Sequence, residues 1–97
     1  MVTGTLALEL LLGDVRSLKA KRSVIRPIVA ELQRKYAVAA AEAGHLDLHR
    51  RALVAVAVVA ADGAHVRDVL DACERLVEAH PEVQVLDVRR QLFDGDD

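Results

Sequence analysis

The most constraining feature of this chain is the alternation that opens it. From Val2 to Leu12 the even positions Val2, Leu6, Leu8, Leu10 and Leu12 are apolar, while the odd positions Thr3, Thr5, Ala7 and Glu9 are small or polar. Side chains of a β-strand point to opposite faces in turn, so the segment reads as a strand with one face on a core. Gly13 and Asp14 break it. The rest of the 97 residues must supply the layer that covers that face, and this length allows one domain with one core.

The covering elements follow from the periodicity downstream. Ser17 to Tyr36 reads as a helix, with Leu18, Ile25, Ile28, Val29, Leu32 and Tyr36 on one arc at about 100° per residue. Either Ser17 or Ser23 suits its N-cap. An interior proline removes a backbone bond, so Pro27 either bends the helix around a core or sits in the first turn of a shorter helix starting at Ser23. Ala37 to Ala43 is a second, alanine-rich strand, and Gly44 to Arg51 is a polar connection. Leu53 to Ala61 is a third strand, apolar on both faces and broken by Asp62 and Gly63. Ala64 to His80 is a second helix, with Val66, Val69, Leu70, Cys73, Leu76 and Val77 on one face and Pro81 stopping it. Val83 to Leu92 is the last strand.

The order β-α-β-β-α-β is that of an α+β ferredoxin-like sandwich, a four-stranded antiparallel sheet with two helices on one face. In that fold the first and third strands are central, and these are the two most apolar here. The fourth carries Asp87, Arg89 and Arg90, as a guarded edge does. Residues 1–93 are expected to form the single domain, with 94–97 a disordered acidic tail. The face that no helix covers shows Thr3, Thr5, Ala7, Glu9 and small residues of the third strand. That face is expected to pair with a second copy of the chain as a homodimer.

Composition excludes several functions. Hydrophobic residues make up 53% and charged residues 29%, which excludes wholesale disorder. Tyr36 and Phe93 are the only aromatics, too few for a platform that stacks bases. A net charge of −2 gives no general attraction to nucleic acid or anionic lipid. The single cysteine, Cys73, cannot close an intramolecular disulfide, and the N-terminus lacks the basic region of a signal peptide, with Glu9 interrupting its first apolar stretch. The longest uncharged apolar run, Ala52 to Ala61, is half of the about 20 residues that a membrane span needs. A cytoplasmic protein is expected.

Charge is distributed unevenly. Between Asp14 and Lys35 seven residues are basic and two acidic, and Lys19, Arg22 and Arg26 lie on one stripe beside the apolar arc. A helix N-terminus already presents unpaired N–H groups and partial positive charge, so Arg16, Lys19, Lys21, Arg22 and Arg26 form a candidate anion or nucleic-acid site. Such a site reads phosphates, not bases. The competing explanation is local: Asp62 to Glu82 holds six acidic and two basic residues, so the two helices, or partner helices in a dimer, complement each other through weak surface pairs.

His45-Leu46-Asp47-Leu48-His49 is the second cluster. In an extended segment its three polar side chains share one face, and His45 and Asp47 extend the basic site. In a helical turn His45 and His49 are i, i+4 neighbours, a spacing that binds transition metals, with Glu42 close in sequence. No thiolate completes a ligand set, so a polar hairpin explains the segment, and neither metal nor cofactor is expected. Cys73 reads as a small core residue, His80 as a helix C-terminal residue that caps carbonyls, and Glu9 as the partner of a basic residue on a neighbouring strand such as Arg89. The five glycines are scattered and no triad or carboxylate pair can be assembled, so an enzyme ranks below a binding module.

Arg16-Ser17-Leu18-Lys19-Ala20-Lys21-Arg22 after an apolar strand resembles the Arg-Ser-Leu-Lys-x-Lys-Arg signature of the YlxP-like family of small bacterial proteins, domain of unknown function 503. Ala41-Glu42, His45-Leu46-Asp47, Val56-Ala57-Val58-Val59, Pro81-Glu82-Val83 and Leu86-Asp87-Val88 also match its pattern, so the resemblance covers essentially the whole chain. It implies a ferredoxin-like fold and no assigned activity. The genes of that family tend to lie beside those for translation initiation and ribosome maturation, which implies a role linked to RNA or the ribosome. The chain departs from the pattern at Ala20, where the family often has Glu, at Gly44, where it often has Asp, and near His49, where it often has Trp. The last departure removes the one aromatic able to stack a base. The reading that results is a non-enzymatic accessory protein contacting RNA or the ribosome through phosphates. The alternative is a protein–protein interaction module, a homodimer, without a nucleic-acid partner.

Overall fold

In the computed structural model, residues 1–95 are described. The opening alternation becomes β1 (Val2–Leu12), whose residues alternate buried and half-buried along its whole length. α1 (Leu18–Tyr36) follows, then β2 (Ala39–Gly44), β3 (Arg51–Ala60), α2 (Gly63–Glu78) and β4 (Val83–Asp94). The sheet order is β2-β3-β1-β4 with every neighbouring pair antiparallel, the ferredoxin-like arrangement. β1 and β3 are therefore the central strands.

The core lies between the sheet and the helices. Leu6, Leu8, Leu10 and Leu12 of β1 and Ala52, Val54 and Val56 of β3 meet Ile25, Ile28 and Leu32 of α1 and Val66, Leu70, Cys73 and Val77 of α2. Fully burying each of the larger side chains contributes about 1.5–3 kcal/mol. Gly4 occupies the one even position of β1 without a side chain, because a Cβ there would collide with Val66 Cγ1 of α2. Its absence lets α2 sit close to the sheet.

Local chemistry fixes the helix ends. Ser17 is the N-cap of α1 and accepts from Ala20 N, 3.0 Å away, which settles the choice between the two serines. Pro27 lies inside the helix on its exposed side. Ala37 ends the helix at φ 51°, the left-handed region that L side chains rarely enter, and so delays β2 by two residues relative to the expected Ala37 start. Asp62 caps α2 by accepting from His65 N at 2.8 Å.

Three further boundaries shift by two residues each. β3 begins at Arg51, two residues before Leu53, so Arg51 belongs to the sheet and not to the connection. α2 ends at Glu78, with Ala79 as C-cap, before the expected His80. β4 continues to Asp94, which pairs with Val2, and Gly95 N donates to Met1 O at 2.9 Å. Asp94 and Gly95 thus prolong the sheet instead of starting a tail; Asp96 and Asp97 lie outside the described residues. β4 also bulges between the residues opposite Glu9 and Leu10, where Leu86 has no partner. At the other edge, Gln33 Nε2 of α1 donates to the carbonyl of Ala40 in β2 at 2.9 Å.

Candidate functional site

The turn from β1 into α1 and the β2–β3 hairpin come together at one end of the molecule. Leu12 N donates to Arg50 O at 2.8 Å, and Arg50 Nε donates to the carbonyls of Leu12 and Gly13 at 3.1 and 2.8 Å. This pins the hairpin against the helix start. The hairpin tip is a turn closed by Leu48 N donating to His45 O, and it leaves Leu46, Asp47, Leu48 and His49 exposed. The two histidines do not share a helical turn, and among the described residues no three His, Cys, Asp or Glu side chains form a metal-ligand set.

The five basic residues of the candidate anion site do not stay together. Lys21 is 1% exposed. Its Nζ lies 2.7 Å from Glu42 Oε2 and donates to the carbonyl of His45 at 2.7 Å. Lys21 is thus a structural cation and cannot serve as a solvent-facing phosphate contact. Sequence carried the signal for this, since Lys21 falls three residues after Leu18 and four before Ile25, on the apolar arc. Arg16, Lys19, Arg22 and Arg26 remain exposed. Arg16 is held by Asp14, its i−2 neighbour, at 3.2 Å. Lys19, Arg22 and Arg26 make no ion pair among the described residues.

The expected mutual complement of the helices is absent at these three positions. Two of the acidic side chains of α2 turn to β4 instead: Arg90 bridges Asp71 at 2.8 Å and Glu74 at 3.3 Å. The contact toward α1 is made by His80, whose Nε2 lies 3.0 Å from Glu31 Oε1 and whose Nδ1 is 3.6 Å from Glu82. The imidazole therefore meets carboxylates and not the helix carbonyls expected of it. The hydrogen bond from His80 holds the Glu31 carboxyl below its ordinary range. Glu31, Lys35, Tyr36, Arg75, Leu76 and His80 line an open groove of about 380 Å³ between the two helices.

A second polar cluster forms on the face of the sheet opposite the helices. Glu9 is directly opposite Asp87 on β4, and Arg89 is opposite Ala7. The Arg89 guanidinium still reaches Glu9 at 3.6 Å. Two closer partners join it: Arg51 donates to Glu9 Oε2 at 3.0 Å, and His45 Nε2 lies 2.9 Å from the same oxygen. The hydrogen bond from Arg51 is the largest influence holding the Glu9 carboxyl below its ordinary 4.5, with His45 adding to it against the opposing effect of burial. His45 adopts φ 58°, in the left-handed region. That conformation sends its carbonyl to Lys21 and its ring to Glu9, so one residue ties the hairpin to both sides of the sheet. His45 thereby positions the hairpin, whereas Asp47 projects from its tip.

Cys73 is fully buried in α2, and burial pushes its thiol up to about 11, which leaves it unreactive. No helix among the described residues is long and apolar enough to cross a membrane.

Comparison with known proteins places these features in a lineage. The Bacillus subtilis (strain 168) protein YlxP, itself uncharacterized, is 27% identical over 85 residues, 88% of this chain and 92% of its own length. The solved structure of a mutant of SnoaB, a cofactor-independent oxygenase from Streptomyces nogalater, is similar with a TM-score of 0.51 over 98% of this chain and 94% of that one. At 11% identity that likeness shows the fold alone. The family model for a protein of unknown function, DUF503, matches residues 3–90. With nearly all of its sheet and both helices inside that match, the chain belongs to the DUF503 family.

Proposed function

We propose that the protein is a non-enzymatic accessory factor that grips the phosphate backbone of RNA, free or within the ribosome, through Arg16, Lys19, Arg22 and Arg26. The observation that carries this reading is that, among the described residues, Lys19, Arg22 and Arg26 have no carboxylate partner, while Asp71 and Glu74 of α2 pair with Arg90. Three such cations in the N-terminal half of α1 form a local positive field on a chain of net charge −2. The Arg16–Asp14 pair is fully at the surface, where such pairs hold weakly, so Arg16 is free to exchange Asp14 for a phosphate. Lys21, His45 and Glu42 support the site from beneath by anchoring the hairpin beside it.

The reading demands strong salt dependence and little sequence preference. Neutralising three or four phosphates gives a slope of log K against log salt of about −2 to −3 on single strands. Fluorescence anisotropy with a labelled RNA at several salt concentrations measures that slope. The Lys19→Glu/Arg22→Glu variant is expected to lower affinity at low salt by at least about tenfold and to flatten the slope by about one to two units. Absence of binding at low salt, or a variant that matches the wild type in both affinity and slope, eliminates the proposal.

A further inference from the structure

On the side of the sheet opposite the helices, the register brings together Thr5 and Ala7 of β1, Ala55 and Ala57 of β3 and Ala39 and Ala41 of β2. Alongside Thr5, Ala39, Ala41, Ala55 and Ala57 there is a shallow apolar concavity of about 300 Å³. Two larger apolar side chains, Val59 at 61% and Phe93 at 54% exposure, stand at one end of this face. The other end carries Glu9, Arg51, Arg89 and Asp87.

We infer that this face docks a second copy of the chain, sheet against sheet, as a two-fold homodimer. Size favours that occupant: about ten residues of strand at about 3.4 Å each, across four strands about 4.8 Å apart, make a face of about 650 Å². Two such faces bury about 1,300 Å², within the range of specific, stable interfaces. Charge favours it too. The face carries two carboxylates and two guanidiniums, and all four are paired within it: Glu9 with Arg51 at 3.0 Å and with Arg89 at 3.6 Å, and Arg89 with Asp87 at 3.9 Å. A face already neutralised in this way meets an identical copy without net repulsion and buries no unpaired charge. A polyanion gains nothing from it, so the phosphate-binding end of α1 and the docking face remain separate surfaces. Around the two-fold axis each residue meets its own mate's surroundings, and the alanine centre lets the two backbones approach closely without a steric gap.

Sedimentation velocity from 5 to 100 µM tests this directly. The wild type is expected to move with rising concentration toward twice the 10.5 kDa chain mass. Ala57→Glu sets a carboxylate at the centre of the face, opposite Thr5 and Ala39, and by symmetry places two in one interface; its dimer dissociation constant is expected to rise at least about tenfold. Should Ala57→Glu not fold by circular dichroism, Ala41→Glu, at an exposed position of β2 on the same face, takes its place. Lys19→Glu/Arg22→Glu serves as the control and is expected to dimerise like the wild type, which also keeps this result independent of RNA binding. A wild type that is monomeric at 100 µM overturns the inference. So does a dimer that the face-centre glutamate leaves intact, since that dimer forms elsewhere.

Discussion

Replacing Lys21 with methionine removes the charge that Glu42 and the carbonyl of His45 share, while keeping an unbranched side chain of similar length. The Lys21 side chain is 2% exposed and that of Glu42 20%, and the two charges lie 2.7 Å apart. Breaking a buried pair by deleting one partner costs about 3–5 kcal/mol, because the other charge is left without compensation. Water still reaches part of Glu42, and the His45 carbonyl keeps the Leu48 N–H, which places Lys21→Met at the lower end, about 3 kcal/mol. In a domain of this size that lowers Tm by about 12 °C or more. The double variant Lys21→Met/Glu42→Leu removes both charges, and its stability is expected to return to within about 1 kcal/mol of the wild type. Urea unfolding, read as a shift in midpoint at constant slope, measures both variants. A single variant within about 0.5 kcal/mol of the wild type, or a double variant no more stable than the single, refutes the view that Lys21 is held inside by Glu42.

Two further perturbations test the surroundings. The Glu9 carboxyl is held below 4.5 in the folded chain, so its contribution to stability is complete above its unfolded value and is lost as pH falls through the lowered folded one. The wild type is therefore expected to lose more stability than Glu9→Gln between pH 6 and pH 3, as read from urea midpoints, and parallel curves for the two proteins contradict this assignment. Gly4→Ala drives a methyl group into Val66 and to within 3.0 Å of Leu70. It is expected to cost about 1–3 kcal/mol of unfolding free energy, and a neutral effect means that α2 shifts freely on the sheet.

The parts of this structure legible in sequence are those set by periodicity. Val2 to Leu12 announces its buried face residue by residue, and the order of strands and helices follows from the breakers Gly13, Asp62 and Pro81. Ser17 and Asp62 act as caps because short oxygen-bearing side chains suit helix starts. The features that escaped depend on long-range geometry. Ala37 and His45 take left-handed conformations that nothing in alanine or histidine demands. Lys21 lies on the apolar arc, yet its inward course is set only when β2 places Glu42 within reach of its flexible stem. Arg51 looks like the end of a connection until β3 is seen to start there, after which it shares a sheet face with Glu9. Arg90 draws off Asp71 and Glu74 of α2, a contact that crosses elements and has no local signature.

The Gln33 amide seated on the Ala40 carbonyl also bears on what kinds of assembly the chain permits. An outer strand that presents free backbone groups templates the addition of further strands, and repeated addition yields fibrils. Here α1 occupies one such acceptor on the short β2 border, while the Leu86 bulge and the charges beyond it roughen the β4 border. Growth by hydrogen bonding along the sheet is thereby discouraged at both sides. Docking across the broad surface of the sheet, as inferred above, would instead close on itself after two chains and give a finite particle, not an open polymer.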